Sequence, residues 1–119
     1  MKSNLVKDKA YDFAVRIINL YKYLKTEKQE YVLSKQILRC GTSVGANIEE
    51  AIGGISKKDF IAKLQISYKE AREAHYWLRL LHDTDYIDKK IFDSLRLDCE
   101  EILKILSKIL ETSKTNLSK

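Results

Sequence analysis

The chain has 119 residues, 45% of them apolar and 33% charged, which suits one water-facing domain with a working but modest core. It contains no proline and only four glycines, all between positions 41 and 54, so helix breakers are missing from most of its length and extended disorder is excluded outside the ends. Lys and Arg number 22 against 17 acids, giving +5 and a pI near 9.1, a balance that favours polyanionic partners. No apolar run approaches bilayer length, and Met1-Lys2-Ser3-Asn4 leads into an amphipathic helix rather than a signal-peptide core, so a cytoplasmic protein without membrane attachment is expected.

Apolar periodicity divides the chain into four helical segments. In the first, Val6, Ala10, Phe13, Ile17, Leu20 and Leu24 alternate steps of four and three, which predicts a helix over about 4–25, capped by Ser3 or Asn4, with lysines near its end to meet the dipole. Thr26 to Glu30 is a short polar connection. A second helix is expected over about 31–52 on the core positions Leu33, Ile37, Cys40, Val44 and Ile48, stopped by a left-handed turn at Gly53-Gly54; its middle, Cys40-Gly41-Thr42-Ser43, is weak in helix propensity. Ser56 and Asp59 form a capping-box pattern ahead of Phe60, Leu64, Ser67, Ala71, Ala74, Leu78 and Leu81, predicting a third helix over about 57–82. Asp83-Thr84-Asp85 is turn chemistry, and Asp88 can cap a fourth helix over about 88–112 whose core positions are Phe92, Leu95, Cys99, Ile102, Leu106 and Ile109. The tail from Ser113 is expected to fray.

Short connections make consecutive helices antiparallel, and four helices of similar length close most economically into an all-α, up-down-up-down four-helix bundle over residues 1–119. The apolar faces are wider than a two-in-seven seam: Ala14, Ile18 and Tyr21 widen helix one, and Ile91, Leu103 and Leu110 widen helix four. That surplus serves either a small core or a subunit interface. Cys40 and Cys99 fall at core-facing positions, the pattern of reduced core residues rather than a disulfide or metal pair.

Beside the apolar stripe of helix two runs a polar one. Steps of three and four place Gln36, Arg39, Ser43, Asn47 and Glu50 on one continuous face. If this stripe is buried within the subunit, its charges need partners, and Glu70, Arg72 and Glu73 on helix three are the candidates. If it faces another subunit, the same groups would set the geometry of an assembly. Gly41 and Gly45, four apart beside it, allow a neighbouring helix to approach closely.

The run QILRCGTSVGANIEEA, followed by SKKDFIAKLQISYKEAREAHYWLRLL, closely resembles the bacterial four-helix-bundle proteins of the S23, or 23S rRNA intervening-sequence, family. The matching positions are Gln36, Arg39, Ser43-Val44, Asn47-Ile48 and Glu50-Ala51, and the resemblance covers nearly the whole chain. The family often carries a second arginine beside the first and an alanine before the glutamate, where this chain has Leu38-Arg39-Cys40 and Glu49. The resemblance implies a helical bundle without enzymatic activity or cofactor that assembles as a homopentamer. It also implies a relation in fold to the accessory protein that partners a reverse transcriptase in diversity-generating retroelements, so RNA, DNA, or a reverse transcriptase or other protein become the partners to consider.

The charge is unevenly spread. Residues 1–27 hold six bases against three acids and residues 53–84 six against four, whereas 28–52 and 85–119 balance at three to three and seven to seven. Lys22, Lys25 and Lys28 cluster at the end of helix one, and Lys57, Lys58 and Lys63 open helix three; an antiparallel pairing sets the two groups towards opposite ends. These six lysines are the candidate nucleic-acid contacts, and oligomerisation would multiply their field. Ordinary solvated lysines are the competing reading.

The catalytic inventory is thin. His75 and His82 share a face of helix three, but Arg72 and Arg79 stand where a di-iron bundle carries glutamates, so no metal is expected, although a two-histidine site with Glu50 or Glu73 is conceivable. Gly53-Gly54 with Ser56-Lys57 lacks the spacing of a phosphate-binding loop. No serine or cysteine has a base partner in its local sequence. Two classes remain: a non-enzymatic oligomeric scaffold that binds nucleic acid, and a protein-interaction bundle whose basic charge serves solubility.

Overall fold

The computed structural model describes residues 2–118, with side chains described over 4–116. Four helices follow in order: α1 (Lys2–Glu27), α2 (Leu33–Ile52), α3 (Lys57–Asp83) and α4 (Lys89–Ser118). No strand occurs among the described residues. The helices form a bundle of 51 × 22 × 20 Å in which α1 packs on α2 and α4, and α3 packs on α2 and α4. The pairing is antiparallel throughout. Lys9 meets Glu101 at 2.6 Å while Arg16 meets Asp98 at 2.5 Å, and His75 meets Glu100 while Lys114 reaches Gln65.

The core is the heptad pattern read from the sequence. Val6, Ala10, Phe13, Ile17, Leu20 and Leu24 are all buried, as are Ile37, Cys40, Val44 and Ile48 on α2. Leu64, Ser67, Ala71, Ala74, Leu78 and Leu81 line the inside of α3, joined by Ile61. Leu33, Phe60 and Phe92, each in the first turn of its helix, are only partly buried, and so is Ile109 further along α4. At the end of α4 the buried series passes from Leu106 to Leu110 instead of Ile109. A straight helix of 3.6 residues per turn drifts away from a 3.5 repeat, and a step of four restores the facing.

The helix ends account for most departures from expectation. Ser3 and Asn4 lie inside α1, not before it. α2 begins at Leu33 rather than near 31, because Glu30 is buried and its carboxylate accepts from Ser34 N at 2.7 Å and Val32 N at 3.3 Å, while Ser34 Oγ donates back to Glu30 O at 2.9 Å. That exchange satisfies N–H groups that a helix start leaves open. The turn before it passes through Gln29 at φ 52°, with Glu30 N donating to Leu24 O. α2 does not stop on a left-handed glycine: Gly53 has φ −83°, and no described glycine has positive φ. A Cβ on Gly54 would lie 2.3 Å from Asp59 Oδ2, a side-chain end that can swing aside, and 3.1 Å from Ala51 O, a tight contact with backbone.

Ser56 caps α3 by accepting from Asp59 N at 3.0 Å, and Asp88 caps α4 by accepting from Ile91 N at 2.8 Å, both as the sequence indicates. α3 ends in a Schellman closure: Asp85 at φ 68° occupies the left-handed position, Tyr86 N donates to Leu81 O and Asp85 N to His82 O. The tail from Ser113 is helical rather than frayed. No glycine or proline follows Gly54 to interrupt α4, and Lys114 and Thr115 tie it to Gln65 and to Glu111 O.

The weak centre of α2 is helical because tertiary packing and local bonds override propensity. Thr42 and Ser43 donate to Leu38 O and Arg39 O, each at 2.7 Å. Opposite them, Gly41 lies against Ile17 so closely that a Cβ would stand 2.8 Å from Ile17 Cγ2, whereas a Cβ on Gly45 would meet Ala10 O at 3.5 Å. The two glycines therefore differ. Gly41→Val is expected to cost about 1–3 kcal/mol through overpacking against Ile17, and Gly45→Ala to be neutral or stabilising by up to about 1 kcal/mol through helix propensity. Urea unfolding of both variants checks this, and equal destabilisation by the two would contradict it.

Candidate functional site

Helical spacing puts the polar stripe of α2 at the seam with α3, and the structure shows how each group is used. Arg39 donates to Glu70 Oε2 at 3.1 Å and to Glu73, whose carboxylate also accepts from Trp77 Nε1 at 3.0 Å. One arginine fork thus ties two carboxylates one helical turn apart on α3, a geometry that a planar guanidinium supplies and a lysine does not. The arginine side chain is 50% exposed while that of Glu70 is 12% exposed. Further along the seam, Ser67 Oγ donates to Val44 O at 2.7 Å, and Lys63 pairs with Glu50 at 3.3 Å. Arg39 with Glu70 at one height and Glu50 with Lys63 at another bracket the α2–α3 junction.

The stripe is a half-exposed seam, neither fully buried nor fully free. Ser43 and Asn47 bond within their own helix, Asn47 Nδ2 donating to Ser43 O at 2.8 Å. Gln36 is half-buried and makes no hydrogen bond to another described residue. Of the three anticipated α3 partners, Glu70 and Glu73 take part and Arg72 does not. About 100° of helix rotation separates neighbouring residues, and Arg72 is exposed on the outward side of α3, lining a groove with His75, Arg79 and Leu103.

The six candidate lysines are not brought together. Lys22, Lys25 and Lys28 lie at the end where α1 finishes, and Lys57, Lys58 and Lys63 at the opposite end where α3 begins. Lys25 sits over the Tyr21 ring at 5.2 Å, and Lys63 is engaged by Glu50. Lys22, Lys28, Lys57 and Lys58 form no ion pair among the described residues. The histidines are also apart from any acidic cluster: His75 bonds Glu100 at 2.8 Å, and His82 stacks on Phe92 with centroids 4.4 Å apart. Glu50 and Glu73 are committed to the α2–α3 seam, so the conceivable two-histidine metal set does not converge. No group of three or more metal-ligating side chains gathers among the described residues. Nor is any helix among them long and apolar enough to cross a membrane.

A model of the 23S rRNA-intervening sequence proteins matches residues 2–108. The chain belongs to this family. Within the 23S rRNA-intervening sequence proteins, a similar solved structure is the 1.70 Å crystal structure of a protein of unknown function from the S23 ribosomal protein family of Bacteroides thetaiotaomicron. The two share 55% identity over 93% of this chain and 99% of that one, with a TM-score of 0.92. Among curated proteins, none matches the chain. On either side of Arg39, Leu38 is half-buried and Cys40 fully buried, and Glu49 is exposed.

Removing the Arg39 guanidinium leaves the nearly buried Glu70 without its charge partner and takes one donor from Glu73. Arg39→Ala is expected to destabilise by about 1–3 kcal/mol, with Arg39→Lys recovering part of the loss. Asn47→Leu breaks only a bond internal to α2 and is expected to leave stability within about 0.5 kcal/mol; a fall in oligomer mass for this variant, at unchanged stability, would place the residue in a subunit contact. Thermal unfolding and light scattering separate these outcomes.

Both cysteines are free, and burial pushes each thiol up to about 12, so at neutral pH neither is a thiolate. Cys99 Sγ donates to Ala71 O at 3.3 Å and Cys40 Sγ to Ile37 O at 3.8 Å. Thiol labelling at pH 8 is expected to be negligible in the native protein and complete on unfolding in urea. Rapid native labelling of either cysteine would contradict this burial.

Proposed function

We propose that this protein is a non-enzymatic, cytoplasmic, homo-oligomeric helical scaffold that binds RNA. The observation that carries the reading is the disposition of its charge. The net +5 is concentrated in α1 and α3, and Lys22, Lys28, Lys57 and Lys58 project from the two ends of the bundle without a carboxylate partner among the described residues. Charge left unpaired on a surface is available to phosphates, and binding through it releases counterions.

A further feature supports the same reading. On α1, Tyr11, Val15 and Ile18 recur at helical spacing on the side away from the core, with Tyr11 66% exposed. An apolar stripe of that kind suits a subunit contact, in keeping with the homopentamer that the family resemblance implies.

Filter binding of RNA across a salt series is expected to give an affinity that falls linearly in log–log form, with a slope set by the number of phosphates engaged. Light scattering of the free protein is expected to return about 70 kDa, five copies of a 13.9 kDa chain. Absence of binding to RNA and DNA even at low ionic strength would overturn the nucleic-acid reading, and a monomeric mass would remove the scaffold.

A further inference from the structure

The candidate lysines Lys22, Lys25, Lys28, Lys57, Lys58 and Lys63 lie at the two ends of the bundle. A different feature lies along the outside of α3. Lys69, Arg72, Tyr76 and Arg79 follow one another at steps of three, four and three, which sets them on a single outward ridge. All four are exposed, Tyr76 at 48%. From Lys69 to Arg79 the ridge rises about 15 Å along the helix axis, a length comparable to a few nucleotides of an extended strand.

The ridge is cationic without being neutralised. Lys69 and Arg72 have no carboxylate partner among the described residues, and Arg79 makes only an aromatic contact, its Cζ lying 5.7 Å from the Tyr76 ring centroid. Of the carboxylates close to the ridge, Glu73 is held by Arg39 and Trp77 and Glu100 by His75 and Arg96, while Asp83, four residues beyond Arg79, meets His82 Nδ1 at 3.3 Å. Arg72 and Arg79 meanwhile face a groove of about 340 Å³ between α3 and α4, floored by His75 and Leu103.

The aromatic group in the middle of the ridge is positioned rather than loose. Tyr76 meets Trp77 edge-on with ring centroids 5.3 Å apart, and Trp77 is itself anchored through Glu73. An exposed tyrosine held between two guanidinium groups and an ammonium is a recurring solution for single strands: the cations track phosphates, and the ring offers a face to an unstacked base. A duplex cannot use that face, because its bases are stacked on one another, and the deep, narrow major groove of A-form RNA does not admit side chains. The preference is therefore for a single strand.

We infer that the α3 ridge of Lys69, Arg72, Tyr76 and Arg79 is a binding track for single-stranded nucleic acid, with Arg72 and Arg79 on the phosphates and Tyr76 stacking a base. This rests on the proposal that the protein binds nucleic acid at all, and it relocates the principal contacts from the terminal lysines to the ridge.

The test is fluorescence anisotropy with an oligouridylate and an oligothymidylate of about 20 nucleotides and a duplex of the same length. It compares the unaltered protein with Arg72→Gln/Arg79→Gln, with Tyr76→Ala and with Lys22→Gln/Lys25→Gln/Lys28→Gln, after circular dichroism has confirmed that each is helical. The unaltered protein is expected to bind both single strands more tightly than the duplex. The double arginine variant is expected to lose affinity about tenfold or more and to show a salt slope shallower by roughly 1.4, two phosphate contacts at 0.7 each. Tyr76→Ala is expected to lose about five- to hundredfold with its salt slope unchanged, the signature of lost stacking. The triple lysine variant, although it removes more charge, is expected to lose less than the arginine pair.

Failure of the unaltered protein to bind any of the three probes overturns this inference together with the proposed function. Binding that survives in the arginine and tyrosine variants but is lost in the lysine variant overturns the ridge alone and leaves the proposed function standing. Tighter binding of the duplex overturns the preference for single strands.

Discussion

The closeness of α1 to α2 at Gly41 is the constraint on which the bundle depends. Ile17 occupies the volume where any other residue at 41 would carry its Cβ, and one turn along Ala10 packs against Gly45. Small residues at facing positions bring two helix axes together, and the side chains on either flank then meet their neighbours at fixed heights. With α1 so placed, Cys40 and Val44 turn into the core and Arg39 comes to the opposite seam. The polar stripe reaches α3 because the apolar side of α2 is committed to α1 and to the interior.

At that seam the same few residues both hold the helices and limit what the surface can do. Arg39 is half-exposed, yet it is the group that makes the near-burial of Glu70 tolerable. Its second branch takes Glu73, which in turn orients Trp77 and, through the ring contact, Tyr76. An ion pair at the surface generally adds little to stability. This one is different because one carboxylate is withdrawn from water and the other extends the network to an aromatic group on the outer face. The α2–α3 contact and the exposed ridge of α3 are in that sense one structure.

Much of this was legible before any coordinates. The alternation of threes and fours identifies the interior of every helix, because burial in a bundle repeats with the heptad; it fails in the first turns, where Leu33, Phe60 and Phe92 are partly exposed, and along α4, where the drift of the repeat gives the last core place to Leu110 and not to Ile109. Ser56 and Asp88 announce themselves as caps because their short side chains reach the open N–H groups directly. Glu30 does not, since its carboxylate serves the start of α2 only after the chain has turned through a left-handed Gln29, a conformation that no glycine signals. The glycine pair at 53–54 misleads in the opposite direction, because α2 ends there without any left-handed glycine. Glu70 and Glu73 could be picked as partners of Arg39 from facing height alone, whereas the exclusion of Arg72 requires knowing how α3 is rotated.

That rotation also decides how the surface charge should be read. Summed along the sequence, α3 shows a modest surplus of bases, and its opening lysines are the conspicuous cluster. Pairing redistributes the weight: Lys63 is drawn to Glu50 and Arg39 absorbs two carboxylates of α3, which leaves Lys69, Arg72 and Arg79 without a carboxylate partner among the described residues, on the exposed side of α3 that borders the α4 groove. A carboxylate engaged within the fold weakens no cation outside it, so the seam that consumes Glu70 and Glu73 is what makes the outer ridge electropositive. In this fold the polar stripe of α2 and the basic ridge of α3 are consequences of a single set of charge pairings, one turned inward and the other left facing water.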